Sequence, residues 1–579
     1  MPTLFIEMTF ENIKLFFINL LSFNDKFPLL FTQFYFWAFF ALVYAGLTLV
    51  KNRILLRNVF LMFASLFFYF KTSGLFVILL LFTTLNCFWI GKKIDLSSHI
   101  GKRKWFVFLG VFINLLLLAY FKYAYFFTSV YNSVFHTNIE MVNYLALWVN
   151  NFSGSSYFRV DNIVLPVGIS FYTFQSISYL IDVYRKRISH TPNFFDFGFF
   201  VSFFPGLVAG PILRANQFMP QLYKKFFLSR RQFGIAIFWI LNGLLKKLIL
   251  SDYLAVNFVD RVIENPQLFT SFENLSAIFV YSLQVYADFS GYTDIAIGVA
   301  MLMGFYMPQN FNAPYKATNP GDFWKRWHIS LSTWLKDYLY IPLGGNRKGK
   351  FRTHVNLMIT MLLGGLWHGA SWNFMIWGGL NGMGILIFKG WCSLNNFKRL
   401  YITSFFLLLS FLLFIFFPFP AFKIAIVWTG LIFFGAFLTY IYRDIFKRNP
   451  LKKLNRGWSI FLTFIFITFT RLFFRSGSNL SPKEQTAHAW RIAKAMVNQI
   501  GGSWNWAKIP EIIETYKTVF ILFGIGMFIH WLPEHWKRWY RLNFALLPIW
   551  VIGGAVVLIV FIVYQFITAD LQPFIYFQF

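Results

Sequence analysis

Apolar runs of bilayer-crossing length, separated by short clusters of lysine and arginine, leave this 579-residue chain few ways to fold. A helix crosses the roughly 30 Å hydrocarbon layer with about 20 apolar residues. About twelve segments approach that requirement: 29–50, 54–70, 75–90, 105–127, 163–183, 232–250, 277–303, 401–417, 424–440, 458–474, 518–532 and 544–566. Only 13% of residues are charged and 58% are hydrophobic, too polar-poor a mixture to clothe a water-facing globule. The fold class expected is an all-α polytopic membrane protein, with the lipid bilayer as its first partner. A net charge of +30 would suit nucleic acid, but the basic residues lie between apolar runs rather than along one polar face. No nucleic-acid partner is expected. Cys87 and Cys392 lack CxxC spacing, so neither a disulfide framework nor a metal site is supported. Near the N-terminus, Phe5, Ile6, Phe10, Ile13, Phe17 and Leu20 form an apolar stripe beside Glu7 and Glu11. That pattern predicts an interfacial amphipathic helix, not a cationic signal peptide.

Positive charge sets orientation. Lys92, Lys93, Lys102, Arg103 and Lys104, then Arg185, Lys186 and Arg187, then Lys447, Arg448, Lys452, Lys453 and Arg456, then Lys537, Arg538 and Arg541 mark cytoplasmic loops. Loops 130–162 and 256–276, with Glu140, Asp161, Asp260, Glu264 and Glu273 and few compensating bases, face outward, as do both termini. Two stretches fit this alternation only as re-entrant hairpins. One is 197–213, interrupted by Pro205, Gly206, Gly210 and Pro211. The other is 355–388, which lies between Arg347, Lys348, Lys350 and Arg352 and the later Lys389, Lys398 and Arg399. Its first part, 355–366, is too short to cross, and Gly364, Gly365 and Gly369 are expected to break the helix where His368 sits. Non-helical backbone at that depth is tolerated only inside protein or beside water, which predicts a wet cavity around His368.

An ionisable side chain in such a cavity is a functional candidate. The competing reading is a neutral His368 bonded to a carbonyl, tying two half-helices together. His328 lies in a Trp-rich stretch, 310–340, with Trp324, Lys325, Arg326, Trp327, Trp334, Lys336 and Asp337, as an amphipathic segment on the cytoplasmic interface would. Two readings of it stand equal, an interfacial histidine in the headgroup layer and a functional one. Asn319, Pro320, Gly321 and Asp322 give a helix N-cap signature that predicts a short helix over 324–336. Asp288 and Asp294 share one apolar segment, and buried carboxylates must be paired or protonated. They are expected to tie helices together through Lys246, Lys247 or the nearby arginines, the alternative being that they shape a polar cavity.

Five stretches carry a resemblance: LPVGISFYTFQSISYLIDVYR at 165–185, FFPGLVAGPILRANQFMPQL at 203–222, YADFSGYTDIAIGVAMLMGF at 286–305, the long 310–347 run containing WHISLSTWLKDYLYIPLGG, and GLWHGASWNFMIWGGLNG at 365–382. Through them the chain resembles the membrane-bound O-acyltransferase family, nearer its alginate-acetylating bacterial branch than its teichoic-acid D-alanylating one. The resemblance implies a ring of helices around a thin central funnel. It implies His368 as catalytic histidine and general base, and His328 as its partner. Trp324, Lys325, Arg326, Asp337, Trp367 and Asn373 are then the substrate-binding candidates. Lys325, Arg326, Arg347, Lys348 and Arg352 either attract donor phosphates or only obey the topology rule. The expected division is 1–164 with N-terminal helices, a catalytic core at 165–390, and 391–579 with further helices and an outward amphipathic segment near 477–516.

The implied reaction moves an acyl group, acetyl by resemblance, from a cytoplasmic thioester to a hydroxyl. The donor is acetyl-coenzyme A or a phosphopantetheine carrier protein, with no metal. The acceptor is an extracytoplasmic polysaccharide or an exported acyltransferase partner, and the location implied is the bacterial cytoplasmic membrane. A transporter or flippase, or a structural subunit of a polysaccharide-export complex, are the alternatives.

Overall fold

In the computed structural model, residues 22, 29–154, 159–448, 452–475 and 480–566 are described. The N-terminal helix expected around Glu7 and Glu11 lies outside them. Among the described residues, all regular structure is helical. Among these residues, seven helical stretches are long and apolar enough to cross a membrane, or eight if Trp506–Thr515 and Lys517–Trp531, bent by 83°, form one broken span. This is a multi-pass membrane protein.

The other apolar segments of the sequence have different fates. Segment 163–183 becomes the helix Ile169–Tyr184, with Ser170, Thr173, Gln175 and Asp182 all buried. It faces protein on nearly every side, which is why polar residues are tolerated in it. Segment 544–566 is not one span: it divides into Glu534–Leu546 and Ile549–Phe566. Leu547 is extended there, the conformation Pro548 imposes on the residue before it. The 197–213 stretch breaks into Phe194–Ser202 and Phe204–Leu207, buried throughout their facing surfaces.

The central element is Ser271–Leu302, a 32-residue helix opened by a capping box in which Thr270 and Glu273 each bond the other's backbone. It packs closely on Arg230–Leu244, where a Cβ on Gly243 would collide with the Gly291 carbonyl and one on Gly298 with the Ala236 carbonyl. Small residues let backbones approach, as association in lipid requires. The carboxylates of this helix are paired as expected. Lys246 meets Asp294 at 2.7 Å, and Lys247 bridges Asp288 at 2.7 Å and Asp252 at 2.8 Å. The acidic loop 256–276 is better compensated than its own sequence suggested, because Arg475 reaches Asp260 at 2.8 Å and Glu264 at 3.5 Å.

The second apolar stretch flagged by charge is an antiparallel hairpin, Gly349–His368 followed by Trp372–Cys392. Gly364 and Gly365 do not break its first helix. They lie inside it, and Gly365 is pressed against Phe374 and Gly378 so closely that a Cβ would strike the Phe374 carbonyl. The helix stops only at Gly369, which is extended. His368 is therefore the last helical residue, at the tip of the hairpin. Further along, Pro482–Ile500 buries Ala489, Ile492, Ala493, Met496 and Ile500.

Lys247 holds two buried carboxylates, so Lys247→Met should destabilise the protein by about 3–5 kcal/mol, the range for breaking a buried pair. Thermal unfolding in detergent, compared with Lys247→Met/Asp288→Leu/Asp252→Leu, checks this, the triple variant being expected to regain much of the loss.

Candidate active site

The segment expected as one helix over 324–336 is instead interrupted, and His328 sits at the interruption. Asn319 accepts from the Asp322 N–H at 2.8 Å and starts a helix Pro320–Trp324, as its N-cap signature indicated. The chain then turns, and a second helix, Ile329–Leu335, begins with His328 as its N-cap at φ 43° and ψ 57°. A left-handed histidine is a strained conformer, of the kind that collects at functional sites. The turn carries His328 inward, to 0% exposure, and with it Trp327 and Trp334. All three are packed inside protein, so none of these rings is presented to lipid headgroups. Trp334 instead stacks on Phe174 at 3.8 Å and donates to its carbonyl at 2.9 Å.

Asn310 fixes the His328 ring. Its Oδ1 accepts from the Ser330 N–H at 3.1 Å and the Ser330 hydroxyl at 2.7 Å, which identifies that atom as the oxygen. His328 Nδ1 lies 3.3 Å from the same oxygen. An amide oxygen only accepts, so Nδ1 must carry the proton and Nε2 the lone pair. Ser330 in turn accepts from the Ile212 N–H at 3.0 Å, locking the site to the broken 197–213 stretch.

His368 faces His328 with ring centroids 6.3 Å apart. Trp367 packs edge-on against both, 5.1 Å from His368 and 5.8 Å from His328, while Trp377 and Phe474 contact His368 at 5.1 and 5.5 Å. The two histidines, 40 residues apart in sequence order (368 − 328), thus share one aromatic cage. The wet cavity expected here is contracted. A void of about 10 Å³ remains beside His368, lined by Val285, Phe289, Trp327, Trp377, Arg471 and Phe474, room for roughly one water. The correction has a plain cause: four large rings fill the space that the end of the helix leaves open.

Arg471 is the residue that sequence reasoning missed most completely. It is buried, lies 4.5 Å over the Trp327 ring, and donates to the Tyr315 hydroxyl and to the Ser282 carbonyl. No ion pair to it occurs among the described residues, so a positive charge faces the void beside His368. It comes from beyond residue 390, as does Phe474, and an arginine inside an apolar run was the signal available.

A second, larger cavity of about 200 Å³ shares Asn310 with this cage. Lys246, Asp294, His530, Lys537 and Arg541 line it. Four buried polar atoms on its wall have no protein partner among the described residues: Ser290 Oγ, Thr293 Oγ1, Asn310 Nδ2 and His530 Nδ1. Unsatisfied buried polar atoms that converge on one cavity are the mark of a polar ligand's site. Burial, reinforced by the Lys316 charge, pulls the Lys537 ammonium down to about 8.

Of the substrate-binding candidates, Trp367 is in the cage. Trp324 is one layer out, its ring 5.6 Å from that of Trp377. Asn373 accepts from the Ser371 hydroxyl and donates to the Phe473 carbonyl at 3.1 Å, joining the hairpin tip to the chain segment carrying Phe474. Lys325 is exposed, Arg326 pairs with Asp322 at 3.0 Å, and Asp337 pairs with Arg214 at 2.6 Å, so these three do not line the void. Among the described residues there is no cluster of histidine, cysteine and carboxylate side chains suited to a metal.

A family model described as MBOAT, membrane-bound O-acyltransferase family, matches residues 63–430. The chain is 42% identical over 335 residues to the probable alginate O-acetylase AlgI of Pseudomonas putida, covering 57% of this chain and 65% of that protein. It is 34% identical over 403 residues to the peptidoglycan O-acetyltransferase of Helicobacter pylori, covering 64% of this chain and 73% of that protein. It is 28% identical over 231 residues to the teichoic acid D-alanyltransferase of Bacillus subtilis, covering 38% and 57%. The match thus spans less than two thirds of the length of the alginate relatives.

The Asn310 geometry predicts a His328 imidazole protonated at Nδ1. Nitrogen-15 NMR of labelled protein should show that tautomer, and Asn310→Ala should lose the preference.

Proposed function

The chain belongs to the membrane-bound O-acyltransferase family, and we propose that it transfers an acyl group, acetyl by its relatives, from a thioester to a hydroxyl at the His328–His368 cage. The observation that carries this is the pair of buried imidazoles, 6.3 Å apart, one of which, His368, lines a void with an arginine on its wall. A hydroxyl is a poor nucleophile near neutral pH, and a neutral imidazole removes its proton as attack occurs. His368 is the base. The hydroxyl oxygen bonds to the thioester carbonyl carbon, and the carbonyl oxygen takes up negative charge beside Arg471. The C–S bond then breaks and the proton ends on the departing thiol, with His328 Nε2 as the second proton carrier. Electrostatic stabilisation of such an oxyanion is worth on the order of 10²–10³ in rate, and general base catalysis about 10²–10⁴.

The void is too small for either substrate, so the rings of Phe289, Trp327, Trp377 and Phe474 must part for turnover. The donor's polar arm occupies the 200 Å³ cavity, its amides meeting Ser290, Thr293 and His530 and its phosphate meeting Lys537 and Arg541. Coenzyme A and a carrier-bound phosphopantetheine share that arm. The acceptor is a sugar hydroxyl of an extracytoplasmic polymer, as the named alginate and peptidoglycan relatives suggest, or an exported partner that hands the group on. The enzyme sits in a bacterial cytoplasmic membrane, with residues 165–390 as the core and Arg471, Phe474 and His530 completing it.

Purified protein should consume acetyl thioester when given an acceptor, and His368→Ala should lower kcat by about 10²–10⁴ with the protein still folded. Unchanged turnover in that variant would sink the assignment. Lys537 is charged below about pH 8 and loses its proton above it. The wild-type donor KM should therefore rise as pH climbs through 8. Lys537→Gln should start with the high KM and show no such rise.

A further inference from the structure

Lys122 and Tyr123 are consecutive residues of the Ile100–Phe135 span, within a π-bulge, Ala119–Tyr123. Such bulges turn one side chain out of the helical register and are common at functional sites. Here the bulge aims both side chains at the end of the Gly349–His368 helix. Lys122 Nζ donates to the Trp367 carbonyl at 2.7 Å and to the His368 carbonyl at 3.3 Å. The Tyr123 hydroxyl donates to the Leu366 carbonyl at 3.1 Å. Three successive carbonyls at a helix C-terminus, which have no partner within their own helix, are thereby satisfied from 243 to 246 residues away.

An ammonium in a membrane span is costly, and such residues normally pair with a carboxylate. No ion pair to Lys122 occurs among the described residues; its contacts are these two carbonyls, the Ser170 hydroxyl at 3.5 Å, and the Trp367 ring at 5.8 Å. The negative end of the Gly349–His368 helix is the group that compensates it. The alternative ending for this helix, another turn or a polar C-cap of its own, is absent because Gly369 leaves the helix extended.

We infer that Lys122 and Tyr123 are positioning residues for His368, together holding the last turn of its helix so that the imidazole points at His328. This rests on the assignment of His368 as base. The ammonium grips the two peptide carbonyls flanking the Cα of His368, so a shift of Lys122 shifts the ring itself. A misplacement of about 1 Å costs on the order of 10² in rate when geometry is the catalytic contribution.

The test uses the full chain in lipid nanodiscs, following acetyl-thioester consumption with Lys122→Met, Lys122→Arg, Tyr123→Phe and His368→Ala. The expected result for Lys122→Met is a kcat about 10²-fold lower with donor KM unchanged. Lys122→Arg, which keeps a cationic donor, should recover at least tenfold of that loss, and Tyr123→Phe should lose about tenfold in kcat. Should Lys122→Met fail to fold, Lys122→Arg and Tyr123→Phe carry the same comparison. A Lys122→Met enzyme that melts earlier yet keeps its kcat, or a Tyr123→Phe enzyme at full kcat, would overturn the inference by leaving only a structural cap. Activity retained in His368→Ala would instead remove the reading on which it rests.

Discussion

The antiparallel contact of Gly349–His368 with Trp372–Cys392 is the interaction on which the site depends. Gly365 and Gly378 meet backbone to backbone, each so tight that a Cβ would strike a carbonyl of the facing helix. That approach sets Trp377 and Phe374 against the last turn of the first helix, and it puts His368 at the hairpin tip instead of along a lipid-facing wall. With little hydrophobic drive between helices in lipid, such closeness has to come from small residues, and glycine supplies it here. The remaining pieces of the cage arrive from elsewhere in the chain: His328 on its strained turn, Phe474 and Arg471 from near the end of the Lys452–Thr470 helix.

Much of this was legible in the residues. Apolar run length and the spacing of basic clusters gave the class, and the two aspartates of the long central helix found the lysines expected of them, because a buried carboxylate has few other outcomes. Asn319 capped its helix as its neighbours indicated. Where reading failed, distance in sequence was the reason. His328 sits among tryptophans that look interfacial, and only packing against Phe289 and Asn310 draws it to full burial. Arg471 and Lys122 are isolated charges in apolar runs, and nothing local says which partner lies some 150 to 250 residues away. The glycines at 364 and 365 were read as helix breakers, yet a tight helix pair uses glycine for contact as readily as a turn uses it for freedom.

The closed cage also changes how the chemistry is pictured. Asn310 lines the polar cavity of about 200 Å³, bordered by lysine and arginine, and also bonds His328 of the aromatic cage, whose void has room for little more than a water. Its Oδ1 is taken by His328 and Ser330, and its Nδ2 has no protein partner among the described residues. Under the proposed reaction, a donor arm in the larger cavity lies against the residue that fixes the His328 ring. On the same proposal, exclusion of water until the donor arrives protects the thioester from hydrolysis.

The central claim is that one buried imidazole pair serves a donor on the Lys537 side and an acceptor on the other. Reconstitution in vesicles with a single known orientation, supplying radiolabelled acetyl thioester to one side and a hydroxyl-bearing glycan to the other, tests it directly. Label should reach the glycan only when the thioester is on the face that carries Lys537 and Arg541, and not with His368→Ala. Equal labelling from either face, or transfer confined to acceptor on the donor's own side, would contradict the account.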